Sequence, residues 1–119
     1  MRVDVSSLDT HATVSPIGEI DLATVGLLTS TLTDAIQGGA ENVTVDLDRV
    51  TYIDSAGLGA LIGAHKRLRA SGGTLVIRCQ QPRVLRLLTI TGLTKLFTFE
   101  DSRQAAAAPA RSAVDSAVG

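Results

Sequence analysis

Aromatic side chains are scarce in this chain: tryptophan is absent, and Tyr52, Phe97 and Phe99 are the three aromatic residues among 119. The core must therefore be aliphatic, with Phe97 and Phe99 supplying most of its aromatic burial. Cysteine occurs once, at Cys79, which excludes an internal disulfide and a cysteine-based metal site and suits a reducing compartment. Its expected role is a small core filler between a strand and a helix. Histidine occurs only at positions 11 and 65. His65 lies seven residues after Leu58, on the core side of a helical pattern, so packing is its expected role, and His11 falls in an early strand far from any motif. A basic excess is also missing, since 11 Lys+Arg against 12 Asp+Glu leave a net charge of −1. That argues against general binding of nucleic acid. No apolar run approaches the roughly 20 residues of a membrane helix. Met1-Arg2-Val3-Asp4 leads directly into alternating residues rather than a secretory signal, so the expected setting is the cytoplasm, without membrane insertion. No metal-ligand cluster, Walker loop or dinucleotide fingerprint is present, and no cofactor is expected.

What is present reads as one α/β domain. Val3 and Val5 suggest a first strand, a turn follows around Leu8-Asp9, and His11 to Ile17 suggests a second strand. Pro16 cannot donate to a ladder, so that strand must lie locally at an edge, carry a bulge or stop early. Over Thr24 to Gln37 the spacing of Val25, Leu28, Leu32, Ala35 and Ile36 predicts a helix ended by Gly38-Gly39. Its threonines give weak intrinsic propensity, so it depends on packing. Asn42 to Leu47 reads as a third strand, Ala56 to Ala70 as a second helix and Thr74 to Arg78 as a fourth strand. Their order favours a right-handed parallel crossover. Pro82 suits the first position of a third helix carrying Val84, Leu87, Leu88 and Thr91 on one face, with Gly92 as its C-terminal cap. Leu93 to Phe99 returns to the body. Asp101-Ser102-Arg103-Gln104 has the form of a capping box opening a last helix through Ala108, and residues 109–119 read as a flexible tail.

The densest signal is Val50-Thr51-Tyr52-Ile53-Asp54-Ser55-Ala56-Gly57-Leu58-Gly59, where an apolar strand-like entry meets a helix start. Asp54 and Ser55 both suit a helix N-cap. The unpaired N–H groups and positive dipole end there also suit an anion carried by Ser55. Gly57 and Gly59 cost the helix about 1 kcal/mol each relative to alanine, which leaves either close packing or access for a partner as their purpose, whereas Gly63 reads as a packing glycine. Asp21, before the first helix, is open to two readings, a cap or a contact. Leu27 departs from the apolar stripe of that helix and suits the apolar centre of a binding patch. Lys66, Arg67 and Arg69 read as a solvated face. A nucleophile elbow would need glycine where Ile53 stands, and a hydrolase would need a histidine base.

Asp54-Ser55-Ala56-Gly57-Leu58-Gly59 after Val50-Thr51-Tyr52-Ile53 resembles the signature of bacterial anti-sigma-factor antagonists, the STAS-domain family. Gly18-Glu19-Ile20-Asp21 resembles a second segment of that family, and Val84-Leu85-Arg86-Leu87-Leu88 followed by Thr91-Gly92-Leu93 a third. The resemblance spans roughly residues 3 to 100. It implies the STAS fold, a small mixed β-sheet of four to five strands with about four packed helices, over residues 1–108. It further implies Ser55 as phosphoacceptor, with Asp21 and residues 54–59 at the partner surface. Ala56, Leu58 and Gly59 enter through that segment. The implied partner is an anti-sigma factor serine kinase, which brings its own ATP and magnesium, and a serine phosphatase reverses the mark. A different role open to the same fold is a structural or interaction subunit of a stress-signalling or lipid-transport assembly. Both are non-enzymatic.

Overall fold

The computed structural model describes residues 1–100. The chain begins with an antiparallel hairpin, β1 (Arg2–Leu8) and β2 (His11–Ile20), closed by Asp9 and Thr10. Asp9 has φ 56, in the left-handed region that tight hairpin loops require and aspartate tolerates. There follow α1 (Val25–Gln37), β3 (Asn42–Asp46), β4 (Val50–Ile53), α2 (Ser55–Ala70), β5 (Thr74–Arg78), α3 (Pro82–Ile90), α4 (Leu93–Leu96) and β6 (Thr98–Glu100). The sheet runs β1-β2-β3-β5-β6, and β4 pairs with β2. Every pairing except β1 with β2 is parallel.

Pro16 shows how the long second strand tolerates a residue without an N–H. Residues 11–14 of β2 pair with β3 and residues 18–20 pair with β4. Pro16 lies in the gap, matched only to Val3 of β1, so the missing donor breaks no parallel ladder. A register shift between Gly18 and Glu19 completes the change of partner.

The register sets Ala12 and Val14 beside Val43 and Val45, and these beside Leu75 and Ile77. All six are buried, and they join Leu28, Leu32, Leu61, Leu68, Val84 and Leu88 from the helices in one core. Truncating a leucine in such a core to alanine costs roughly 2–5 kcal/mol. Cys79 is buried in the same core, in the packing role expected of it. His65 is buried too, with its ring edge-on to Phe97 at 5.5 Å. On the other face Arg78 ties the strand ends together, 3.7 Å from Asp46 and 3.3 Å from Glu100.

The mixed sheet with helices packed on it matches the expected layout, but it has six strands rather than four to five, and the second strand runs on past Ile17 to Ile20; other differences are of detail. The third strand ends at Asp46, and Val50–Ile53 is a strand of its own. The return segment after Gly92 contains a single helical turn, α4, before β6. The last helix expected to open at Asp101-Ser102-Arg103-Gln104 and run through Ala108, and the tail expected over residues 109–119, lie outside the described residues. On α3, Val84 and Leu88 are buried and Leu87 half-buried, while Thr91 is exposed. Gly92 has φ 78 immediately after the C-cap Thr91, the left-handed stop that glycine makes inexpensive.

Candidate functional site

Two parallel strands bring the candidate residues together. Ile20 and Ile53 are register partners at the ends of β2 and β4, so the residues that follow them, Asp21 and Asp54, leave the sheet side by side. The Asp54 N–H donates to the Ile20 carbonyl at 3.1 Å and secures this junction. From it the two chains enter α1 and α2.

At α2, Asp54 is the N-cap, extended at φ −112, ψ −169. Its Oδ1 accepts from the N–H of Ala56 at 2.9 Å and of Gly57 at 3.3 Å, while the Leu58 N–H donates to its carbonyl at 3.1 Å. Ser55 is the first helical residue and is exposed. The structure thus resolves the choice between the two caps in favour of Asp54, which occupies the donors a helix start would otherwise offer an anion. A phosphate on Ser55 would have to compete with that carboxylate for them or point outward.

Asp21 has an equally definite local role. Its Oδ1 accepts from the N–H groups of Ala23 and Thr24, both at 3.0 Å, and its own N–H donates to Thr24 Oγ1 at 2.9 Å. The Val25 N–H donates to its carbonyl at 2.8 Å. This reciprocal bonding works like a capping box for the turn that leads into α1, whose formal N-cap Thr24 makes no cap bond of its own. Asp21 remains only half-buried, and its capping bonds are all made through Oδ1.

The neighbouring glycines prove to have opposite roles. A Cβ on Gly57 would lie 2.6 Å from Ile53 Cγ1 and 2.7 Å from Ile20 Cγ2, so its bare backbone lets α2 settle on the β2–β4 junction. Of the two purposes open to Gly57, close packing is the one the structure shows, because it is buried. Leu58 is also a core residue, and Ala56 is half-buried. Gly59 is exposed with nothing near its missing Cβ, and so is Gly63, contrary to the packing role expected there. Both line a shallow groove between α1 and α2, where Arg67 donates to Thr33 Oγ1 at 2.7 Å. Leu27 is exposed as expected, but Leu22, in the turn directly after Asp21, is 80% exposed and more prominent. Its signal was available in the sequence: an apolar residue in a polar turn, outside any helical stripe.

Neither histidine serves this site. Ten residues of helix place His65 about 15 Å along α2 from Ser55. His11 sits at the far end of β2, in contact with Thr44 Oγ1 at 3.0 Å.

Sheet, junction and exposed helix-start serine together make a small α/β domain with a serine presented at one end. The STAS domain family model matches residues 2–106, and the chain belongs to that family. A relative from Staphylococcus aureus (strain NCTC 8325), named anti-sigma-B factor antagonist, is 35% identical over 96 residues, covering 81% of this chain and 89% of its own. A solved anti-sigma factor antagonist described as putative, from Thermotoga maritima, superposes with a TM-score of 0.80 at 23% identity, over 92% of this chain and 94% of that one. The Bacillus cell fate determinant SpoIIAA, solved in its phosphorylated form, shares the fold with a TM-score of 0.68 at 20% identity, over 84% and 90%.

Proposed function

We propose that this chain is an anti-sigma factor antagonist: unphosphorylated, it captures an anti-sigma factor serine kinase and so frees a sigma factor, and phosphorylation of Ser55 ends the capture. The observation that carries the reading is the exposed Ser55 hydroxyl at the first position of α2, beside the Asp21 turn on the adjoining strand. The name of the Staphylococcus aureus relative supports the antagonist role.

The chemistry of the switch is electrostatic. A phosphoserine adds about −1.5 to −2 charge units at neutral pH. It would join Glu19, Asp21 and Asp54 at one end of the molecule, where the first turn of α2 carries no basic residue; the basic side chains of that helix begin at Lys66. A partner that has fitted itself to the neutral serine would bury an uncompensated charge, and each 1.4 kcal/mol lost weakens binding tenfold. This chain contributes the acceptor and its presentation. The kinase brings ATP, magnesium and the catalytic base, a separate serine phosphatase resets the switch, and the exchange takes place in the cytoplasm, without catalysis by this chain.

The test is to incubate the purified chain with the candidate anti-sigma serine kinase of its own genome and Mg-ATP, map the phosphate, and titrate both forms against the kinase. One phosphate on Ser55 and at least a tenfold loss of affinity are expected. Phosphate on another residue, or equal affinity of the two forms, overturns the reading. Co-purification of the chain from cell extract with transporter subunits in place of the kinase would favour the structural-subunit role.

A further inference from the structure

The exposed surface does not end at Ser55. Glu19 and Tyr52 are register partners across β2 and β4, and both are exposed, so a continuous strip leads from the Asp21 turn over these two residues to α3. There the surface becomes concave: Thr51, Tyr52, Ile53, Arg83, Val84 and Leu87 line a niche of about 210 Å³. Arg83, Leu87 and Ile90 follow one another at helical spacing on the outer side of α3, with Arg86 alongside. Tyr52 is 51% and Ile90 70% exposed. A partly exposed tyrosine that shares the niche with Leu87 and Arg83, with Arg86 and Ile90 exposed further along α3, has the composition of an interface anchor rather than of ordinary solvated surface.

Charge distinguishes the two ends of the strip. Glu19, Asp21 and Asp54 make the Ser55 end acidic. Arg83 and Arg86 make the α3 end basic, and among the described residues neither guanidinium forms an ion pair. A segment that fills the niche must therefore offer an apolar group for Tyr52 and Leu87 and carboxylates for the arginines.

We propose that Tyr52, Arg83, Leu87 and Ile90 form a second docking subsite for the partner that reads Ser55, occupied by an apolar side chain of that partner flanked by acidic residues. This rests on the partner assigned above. The strip then fixes the orientation of the complex, since a surface with its basic part over Asp21 and its acidic part over Arg83 fits in one direction only. A phosphate on Ser55 repels at one end while the α3 subsite is left unchanged.

The experiment titrates the unphosphorylated full chain against the purified kinase that phosphorylates Ser55. Arg83→Glu/Arg86→Glu should weaken binding at least tenfold and flatten its salt dependence. Tyr52→Ser and Ile90→Ser should each weaken it at least threefold with unchanged melting temperature, and Arg69→Glu on α2 should leave it unchanged. A photo-crosslinking residue at position 90 should mark a kinase peptide containing aspartate or glutamate. If the wild type binds and is phosphorylated but the α3 variants bind equally well, the subsite is wrong and the Ser55 reading stands. An equal loss with Arg69→Glu, or crosslinks only to a second copy of the chain, also overturns the subsite. If the wild type does not bind the kinase at all, both readings fall.

Discussion

At the scale of single residues, the site is built from two carboxylates that each satisfy backbone donors before they can meet a partner. Asp54 holds two N–H groups of α2, and Asp21 holds two in the turn before α1. Asp54→Ala and Asp21→Ala should each lower stability by about 0.5–2 kcal/mol. Ser55→Ala should change it by less than about 0.5 kcal/mol, because the serine is exposed and is not the cap. Urea unfolding of the three variants checks the order. Asp21→Asn keeps an acceptor oxygen for the turn and removes the charge, so weaker kinase binding at nearly native stability would assign Asp21 to the partner. Lost stability with unchanged binding would assign it to the turn alone. Spacing made both aspartates visible in the sequence as cap candidates. Which of Asp54 and Ser55 performs the capping was not visible, because that depends on the backbone angles at the strand–helix boundary.

Elements explain why the sequence was readable in some places and not in others. The stripes of α1 and α2 stood out because Leu28, Leu32, Leu61 and Leu68 repeat at helical spacing and are buried. Val50–Ile53 was visible as a strand-like entry, but its place in the sheet was not, since four residues carry little periodicity and only the pairing with β2 defines the strand. The same pairing decides the glycines. Gly57 faces Ile20 and Ile53, while Gly59 and Gly63 face open space, and no pattern along one helix distinguishes them. Gly57→Ala should therefore destabilise by about 1–2 kcal/mol, the overpacking against two β-branched side chains exceeding the gain in helix propensity. Gly59→Ala and Gly63→Ala should each stabilise by about 0.5–1 kcal/mol, since neither has a positive φ nor a neighbour within 4 Å. Thermal melting separates these cases. If Gly59→Ala stabilises the chain yet weakens kinase binding, Gly59 is kept bare for the partner.

On the scale of the whole molecule, the proposed switch need not move the core. The strand ends that carry Asp21 and Asp54 are joined by a backbone hydrogen bond, and α2 is seated on Ile20 and Ile53 without an intervening side chain at position 57. A phosphate on Ser55 takes the formal net charge from −1 to about −3, and all of the change falls at the end that already holds Glu19, Asp21 and Asp54. Repulsion from Asp54 is then the main internal effect, since both groups seek the N–H donors of Ala56 and Gly57. Two outcomes follow from that competition. Amide NMR shifts on phosphorylation should cluster in residues 20–24 and 53–60 and leave β5 and α3 undisturbed. In addition, Asp54→Asn should cost the phosphorylated form less than the unphosphorylated form, or even stabilise it, because it removes the opposing charge while keeping an acceptor. A double-mutant cycle with Ser55→Asp in place of phosphate should show the same sign with a smaller magnitude, a carboxylate having less charge and fewer acceptor oxygens. Shifts spread through α3 and Phe97, or an Asp54→Asn cost independent of phosphorylation, would mean that the phosphate acts through rearrangement of the fold rather than through local charge.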